Sequence, residues 1–323
     1  MDRNKFMRAA VVESPLKIRI DKVPLPVPDV GAVRVRLEGC GVCGSNLSAW
    51  EGRPWFNYPL APGELGHEGW GIVDALGSNT TKFKLGDRVA MLSYRAYAEY
   101  DVASEESMVK LPENLRNHLF PGEPLACAIN VFRRCRIEPG QNVAIVGIGF
   151  MGALLTALAA QSGVNVIAIS RRKTALQVAQ ACGAAEAIPM EDHFRIIDQV
   201  NTFTKSQGCD CVIEAVGCQG PLDLAGELTR ERGRLVIAGY HQDGPRQINL
   251  QLWNWRGLDV INAHERDPAI YLRGMEAAVE AVASGTLNPA PLFTHTYKLE
   301  ELPEALNAMK NRPDKFMKAL ITL

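Results

Sequence analysis

The segment Asn142-Val-Ala-Ile-Val-Gly-Ile-Gly-Phe-Met-Gly152 decides the fold class of this chain. A short apolar run leads into a Gly-x-Gly-x-x-Gly turn, and a helical pattern then extends to Gln161. In such a strand–turn–helix unit, glycines permit a tight turn, close approach of a pyrophosphate and close packing of helix on strand. The segment therefore predicts a dinucleotide site formed by Gly147, Gly149, Phe150, Met151 and Gly152. An ordinary glycine turn is the alternative interpretation.

Compact β-branched runs continue on the C-terminal side of this segment and alternate with helical patterns. The strand-like runs are Val164–Ile169, Cys211–Glu214 and Arg234–Ile237, and one helical pattern covers Thr174–Cys182. Alternating strands and helices predict a parallel sheet with right-handed crossovers. The loops after the later strands should then line the cofactor site, which adds Ala215 and Gly239 to the candidates. Turn geometry alone is the other explanation for the glycines in these loops.

The second strand of this pattern ends Ile169-Ser170-Arg171-Arg172-Lys173. A carboxylate at this place would accept hydrogen bonds from the ribose hydroxyls of NAD. A small hydroxyl followed by cations suits a 2′-phosphate instead, because guanidinium groups form bidentate charge-assisted bonds. Ser170, Arg171 and Arg172 thus predict that NADP(H) is preferred over NAD(H). A solvated basic start of a helix is the alternative.

Composition limits the classes of function. The chain has 323 residues, which favours two domains, and its 35 basic and 36 acidic residues give a net charge of −1. Nothing in this balance indicates a nucleic-acid or membrane partner. The start of the chain lacks the apolar core of a signal peptide, so a cytoplasmic protein with reduced cysteines is expected. The apolar run 143–160 is long enough to suggest a membrane span, but its three glycines favour strand, turn and helix.

The first hundred residues have a different pattern, with short strand-like runs separated by proline and glycine turns. These runs are Ala9–Val12, Ile18–Ile20, Val33–Leu37, Gly71–Ala75 and Arg88–Leu92. Many short strands with frequent turns predict a barrel-like antiparallel domain. The tail returns to helices (Ala269–Ala283 and Leu302–Asn311) and a last strand, Phe316–Leu323. A last strand that pairs within the first domain would make that domain discontinuous.

Potential metal ligands occur in two glycine-rich motifs of the first domain. Gly39-Cys-Gly-Val-Cys-Gly-Ser-Asn46 carries a Cys-x-x-Cys pair, and Gly66-His-Glu-Gly69 follows it. A thiol, an imidazole and a carboxylate are ligand types that zinc selects. A structural zinc normally needs a second cysteine pair nearby, and none follows, so Cys43 with His67 fits a catalytic site better. Glu68 and Glu123 are both candidates for the third ligand, and simple burial of these side chains is the alternative.

Together these motifs resemble those of the zinc-dependent alcohol dehydrogenases, a family of medium-chain dehydrogenases/reductases, nearest its sorbitol and threonine dehydrogenase branch. Gly39–Asn46 matches the family's catalytic cysteine motif, Gly66–Gly69 its Gly-His-Glu motif, and Glu123-Pro124-Leu125 the third-ligand motif of the polyol branch. The resemblance implies an α/β fold with a GroES-like β-barrel catalytic domain and a Rossmann domain with a doubly wound parallel sheet. Expected bounds are 1–124 with 260–323 for the first and 125–259 for the second. Relatives are dimers or tetramers, so a homo-oligomer is expected.

The resemblance also implies roles for single residues. Cys43 and His67 would bind zinc directly, whereas Glu68 and Glu123 would be direct, exchangeable or water-mediated ligands. The four closely spaced cysteines that hold a structural zinc in many relatives are absent from the sequence, so one zinc per subunit is expected. Ser45 would accept the proton of the alcohol. Catalytic candidates are thus Ser45, Ser48 and Glu68.

Two departures from the family pattern bear on these roles. Asn46 stands where relatives have an aspartate that orients the zinc-bound histidine. Its amide oxygen is expected to accept the imidazole N–H of His67 without adding charge. Ser48 occupies the place of a proton-relay histidine, so the outward proton path should differ.

Hydride transfer between NADP(H) and a secondary alcohol or ketone is the expected reaction, with a polyol, cyclitol or sugar derivative as substrate. Trp55 and Phe56, just before the histidine motif, are the preferred candidates for the substrate pocket. A zinc-free quinone or enoyl reductase of the same superfamily is one alternative. A non-catalytic NADPH-binding sensor is another.

Overall fold

A computed structural model describes residues 5–323 of the chain. Its strands are, in chain order, β1 Phe6–Ser14, β2 Lys17–Pro24, β3 Ala32–Gly41, β4 Gly69–Leu76, β5 Arg88–Met91, β6 Tyr100–Ser104, β7 Met108–Lys110, β8 Asn142–Val146, β9 Asn165–Ser170, β10 Glu186–Pro189, β11 Cys209–Glu214, β12 Thr229–Ile237, β13 Asp259–Asn262, β14 Phe293–Lys298 and β15 Lys318–Thr322. Its α-helices are α1 Leu47–Trp50, α2 Gly122–Cys135, α3 Phe150–Gln161, α4 Lys173–Ala181, α5 His193–Phe203, α6 Gln219–Leu228, α7 Leu250–Arg256, α8 Pro268–Ala283 and α9 Leu302–Asn311.

The chain forms two compact units. Of the described residues, unit 1 contains those up to Ala126 together with Pro268–Leu323, and unit 2 contains Cys127–Asp267. Helix α2 crosses the first boundary. The expected second boundary, 259/260, falls inside β13, and the structure places β13 in the sheet of unit 2 because its residues pair with β12.

Unit 1 is built on a mostly antiparallel sheet in which strands from both ends of the chain meet. The sheet order is β14-β15-β3-β4-β5-β7, with β6 paired to β3, and β1 and β2 form a separate antiparallel pair. The last strand, β15, pairs antiparallel with β3, where Ile321 lies opposite Cys40. The expected pairing of the last strand with the N-terminal region is confirmed, and it brings the C-terminal segment beside the first cysteine motif.

Several large side chains of unit 1 are buried in its interior. Trp50, Trp70, Tyr97 and Phe316 are all almost completely inaccessible to solvent. Trp70 on β4 lies against Gly39 of β3, where an added Cβ would stand 2.5 Å from two atoms of the indole ring and 2.6 Å from the Ile321 carbonyl oxygen. The first glycine of the cysteine motif is therefore required for packing.

Unit 2 is a six-stranded parallel sheet in the order β10-β9-β8-β11-β12-β13. Numbered within the unit this is 3-2-1-4-5-6, the strand order of a doubly wound dinucleotide-binding domain. Strand β8 and helix α3 have the predicted bounds. The apolar run 143–160 belongs to β8, the glycine turn and α3, and every helix in the described range 5–323 falls short of what a membrane-crossing helix needs.

We expect Gly39→Ala to lower the free energy of unfolding by about 1–3 kcal/mol, because the added methyl group overpacks a filled core. Gly44→Ala is the matched control in the same motif, since an added Cβ there has no atom within 4 Å. Urea unfolding curves of both variants measure the difference. Equal stability of the two variants would contradict this account of the motif.

Candidate functional site

The two motifs of unit 1 converge on a compact group of metal-binding side chains. Among the residues that the structure describes, Cys43, His67 and Glu68 form the one group of three or more potential ligands whose donor atoms all lie within 4.8 Å of one another. Cys43 follows β3, whereas His67 and Glu68 immediately precede β4. Since β3 and β4 pair antiparallel, with Cys40 opposite Gly69, their pairing brings the motifs together.

A backbone carbonyl, rather than Asn46, sets the orientation of the His67 ring. Its Nδ1 lies 2.8 Å from the carbonyl oxygen of Leu65, which can only accept a hydrogen bond. Nδ1 therefore carries a hydrogen, and Nε2 is the ring nitrogen available to a cation.

The expected hydrogen bond from His67 to Asn46 is therefore wrong. The Asn46 amide nitrogen donates to the same Leu65 carbonyl at 3.0 Å, and its Oδ1 accepts from the Tyr97 hydroxyl at 2.7 Å. Asn46 thus supports the segment that orients His67, and it does so through the Leu65 carbonyl.

Glu68 is fully buried and forms an ion pair with Lys318 on the last strand. The Lys318 Nζ lies 2.6 Å from the Glu68 carboxylate and also donates to the Val42 carbonyl oxygen at 3.0 Å. Gly41 provides the space for this carboxylate, because an added Cβ would stand 1.7 Å from Glu68 Oε2. Burial opposes the charge of Lys318, but the charges of Glu68 and Cys43 outweigh burial and raise the pKa of the ammonium.

Negative charge dominates the electrostatics of this group. Burial favours neutral His67, yet a hydrogen bond donated by the protonated ring to the Cys43 sulfur and the charges of Cys43, Glu123 and Glu68 raise the pKa of His67 to about 10. If the side chains take the forms in which they bind a metal ion, with Cys43 a thiolate, His67 neutral and both glutamates ionised, these three negative groups and the Lys318 ammonium would give a net charge of −2. A divalent cation neutralises that charge, and its binding would displace the His67 proton. The donor set and its charge therefore fit zinc.

Glu123 lies beside this group but is not a member of it. It interacts electrostatically with His67, and its carboxylate accepts a hydrogen bond from the Tyr271 hydroxyl. Burial raises the pKa of Glu123, while the charge of His67 opposes that shift. Of the two candidates for a third ligand, the structure thus places Glu68 with Cys43 and His67.

The two candidate catalytic serines have different environments. Ser45 lies in a single turn of 3-10 helix, Gly44–Asn46, and is half-buried. Ser48 is buried in α1, and its hydroxyl donates to the Ser45 carbonyl oxygen at 3.1 Å. The hydroxyl hydrogen of Ser48 is therefore already used in a hydrogen bond to the backbone.

Trp55 and Phe56 occupy the loop between α1 and β4. Trp55 is 58 % exposed, whereas Phe56 packs against a small core cluster that includes Val12, Ala49 and Leu60. Only Trp55 of this pair presents most of its surface to solvent.

The glycine turn of unit 2 has the geometry that the sequence predicts. Gly147 has a φ of +103°, and an added Cβ at Gly152 would stand 2.1 Å from the Gly147 carbonyl oxygen. Gly149 differs, because an added Cβ there has no protein atom within 4 Å. Packing and backbone conformation therefore explain the outer glycines, Gly147 and Gly152. The open space at Gly149, just before Phe150 and Met151 begin α3, suits a diphosphate.

The end of β9 supplies the basic residues expected beside this turn. Ser170 is buried, Arg171 is exposed, and Arg172 Nη2 lies 3.4 Å from the Ile148 carbonyl oxygen within the turn. Arg172 thus reaches the dinucleotide turn itself.

The loops that contain Ala215 and Gly239 pack on each other. The backbone N–H groups of Ala238 and Gly239 both donate to the Glu214 carbonyl oxygen at 2.8 Å, and an added Cβ on Gly239 would lie 2.3 Å from the Gly217 nitrogen. The Glu214 carboxylate is fully buried and accepts from the N–H groups of Val216 and Gly217. His241, which the sequence reasoning missed, lies 3.0 Å from the same carboxylate.

Comparisons with known proteins support this assignment of motifs. A family model described as the alcohol dehydrogenase GroES-like domain matches residues 29–113, and one described as zinc-binding dehydrogenase matches residues 150–280. The chain belongs to the zinc-dependent alcohol dehydrogenase family. Within this family it lies on the sorbitol dehydrogenase-like branch.

Several relatives match nearly the whole chain. Sorbitol dehydrogenase of Halalkalibacterium halodurans is 27 % identical, with 94 % of this chain and 95 % of the relative covered. D-xylulose reductase A of Aspergillus oryzae is also 27 % identical, over 93 % and 92 %. A solved structure from Sinorhizobium meliloti, assigned as a zinc-binding dehydrogenase and bound to NADP, has a TM-score of 0.82 at 25 % identity and covers 98 % and 99 %.

Three residues around the metal-binding group were missed by sequence reasoning: Lys318, Tyr271 and Tyr97. Each reaches the group through tertiary packing, and Lys318 lies 250 positions from its partner Glu68. No local pattern distinguishes them, because a lysine in a strand or a tyrosine in a helix has many ordinary roles. Only the pairing of β15 with β3 reveals the role of Lys318.

We expect Cys43→Ala to abolish stable zinc binding, because the variant loses the sulfur ligand of the group. Cys40→Ala is the matched control, since Cys40 is fully buried and its thiol lies 3.3 Å from the Gly41 carbonyl oxygen. Elemental mass spectrometry after dialysis gives the zinc content per chain. Retention of zinc by Cys43→Ala, or its loss in Cys40→Ala, would contradict the assignment.

Proposed function

We propose that the protein is a zinc-dependent oxidoreductase that transfers a hydride between NADP(H) and a secondary alcohol or the corresponding ketone. The observation that carries the proposal is the compact group of Cys43, His67 and Glu68, whose donor atoms all lie within 4.8 Å of one another. A thiolate, a neutral imidazole and a carboxylate supply three protein ligands, which is the number in a catalytic zinc site with an open position.

Cys43 and His67 would hold the zinc, with Glu68 as the third donor and Glu123 beside it. Zinc bound there supplies Lewis acidity, which lowers the pKa of an alcohol oxygen. The Lys318 ammonium forms an ion pair with the Glu68 carboxylate, so it reduces the negative charge that this carboxylate presents to a bound zinc ion.

Ser45 is the proposed acceptor of the alcohol proton. It follows the ligand Cys43 by two positions and is a half-buried residue of the turn Gly44–Asn46. Ser48, the other serine of this region, instead uses its hydroxyl to stabilise the turn.

The cofactor is proposed to bind at the glycine turn of unit 2. Open space at Gly149 accommodates the diphosphate, and Arg171 and Arg172 supply positive charge for a 2′-phosphate. The relative from Sinorhizobium meliloti that was solved with NADP has the same fold.

A polyol, cyclitol or sugar derivative is the proposed substrate class. The names of the relatives from Halalkalibacterium halodurans and Aspergillus oryzae refer to sorbitol and D-xylulose, which supports this class. Trp55, with its exposed ring, and Phe56 remain the proposed pocket residues.

The proposal predicts zinc-dependent reduction of NADP by at least one secondary alcohol in a screen of polyols, cyclitols and sugar alcohols, followed at the absorbance of reduced nicotinamide.

The rate with NADP should exceed that with NAD. The double variant Arg171→Ala/Arg172→Ala should reduce that preference by about 10-fold or more, because charge-assisted bonds to a phosphate are lost. Arg195→Ala, which changes an exposed arginine on α5, is the control. Equal rates with NAD would contradict the cofactor assignment, and activity that survives removal of zinc would indicate a zinc-free reductase.

We expect Ser45→Ala to lower kcat by about 100-fold or more without loss of zinc, because it removes the proposed proton acceptor. Ser48→Ala should leave kcat within about a factor of ten, since it removes only one hydrogen bond to the backbone. Steady-state kinetics and zinc content of both variants decide the point. A larger loss of kcat in Ser48→Ala than in Ser45→Ala would reverse the two roles.

A further inference from the structure

A tyrosine on the first helix of the C-terminal segment of unit 1 holds the second candidate glutamate. The hydroxyl of Tyr271, on α8, donates a hydrogen bond to Glu123 Oε1, although the residues are 148 positions apart. Both residues belong to unit 1. Because the acceptor is a carboxylate, this hydrogen bond is charge-assisted and stronger than one between neutral groups.

Close packing of two helices fixes the position of this hydroxyl. At Gly122, the first residue of α2, an added Cβ would stand 2.6 Å from the Ala90 Cβ and 3.2 Å from the Met275 sulfur. Met275 follows Tyr271 by four residues, so both side chains lie on the same face of α8. The contact at Gly122 and the hydrogen bond at Glu123 therefore belong to one packing arrangement. Tyr271 is held by helix packing, which makes it a precise partner for Glu123.

The hydrogen bond explains why Glu123 lies outside the donor group. Its carboxylate interacts electrostatically with His67 and Lys318, yet the compact group contains Cys43, His67 and Glu68 alone among these side chains. A carboxylate that interacts electrostatically with this group would also be attracted to a cation bound there, which would add a fourth protein ligand. Hydrogen bonding by Tyr271 opposes that movement.

We propose that Tyr271 is a positioning residue that keeps Glu123 outside the donor group, so that a bound metal ion retains an open coordination position. The inference rests on the proposed function, since it assumes that Cys43, His67 and Glu68 hold a divalent metal ion. Glu123 is then a neighbouring carboxylate that the metal ion attracts and that the hydrogen bond from Tyr271 holds away from it. Outer partners of this kind change metal affinity by about 10- to 100-fold when they are altered.

The cobalt-substituted protein tests this inference directly, because the visible absorption of Co2+ weakens as its coordination number rises. Tyr271→Phe retains the ring and its packing but removes the hydroxyl. In this variant Glu123 should join the metal, with weaker visible absorption and an affinity for zinc that is about 10-fold higher or more in a chelator competition. Tyr297→Phe, on β14, removes a hydroxyl elsewhere in unit 1 and should behave as the wild type.

The same substitution made in a Glu123→Gln protein separates a positioning role of Tyr271 from a general structural effect. If Tyr271 acts through Glu123, the further change Tyr271→Phe should leave the spectrum and affinity of a Glu123→Gln protein unchanged. Identical spectra for the wild type and Tyr271→Phe would overturn the inference while leaving the proposed function intact. A lower zinc affinity in Tyr271→Phe would also overturn it, since Tyr271 would then support ligation by Glu123. Failure of the wild type to bind cobalt or zinc would overturn both.

Discussion

The buried ion pair between Glu68 and Lys318 links the fold of unit 1 to its chemistry. Glu68 lies beside the histidine of the metal-binding group, and Lys318 begins the last strand of the chain. Removing one partner of such a pair leaves an uncompensated charge in the interior, at a cost of about 3–5 kcal/mol. Loss of this pairing would therefore be costly once β15 lies beside β3, and the pair joins the last strand of the chain to the metal-binding group of the first domain.

The same pair also determines the charge of the site. Glu68, Glu123 and the thiolate of Cys43 together would carry more negative charge than a divalent cation neutralises. Lys318 removes one unit of that excess, and Tyr271 gives the Glu123 carboxylate a hydrogen-bond donor. Residues that are not themselves metal ligands thus adjust the negative charge of the site to that of one divalent ion. Such outer partners set the basicity and orientation of the ligands in metal sites generally.

Local patterns in the sequence predicted the elements that carry the motifs. Strand β8 and helix α3 have the predicted bounds, since a compact apolar run, a glycine turn and a helical repeat are all short-range signals. The ligand types of the cysteine and histidine motifs, and their resemblance to the family's motifs, likewise predicted that Cys43 and His67 belong to one metal site. The partner of the His67 ring was not predictable in this way. Leu65 has a φ of +80° and presents its carbonyl to the ring, whereas the side chain of Asn46 is held by Tyr97.

Zinc X-ray absorption spectroscopy of the purified protein tests most directly the central claim that Cys43, His67 and Glu68 hold one zinc ion. The account predicts one sulfur neighbour per zinc at about 2.3 Å, with the other neighbours nitrogen or oxygen at about 2.0–2.2 Å. Two or more sulfur neighbours per zinc would show that Cys40 or another thiol also binds and would contradict the account. The absence of any sulfur neighbour would contradict it equally.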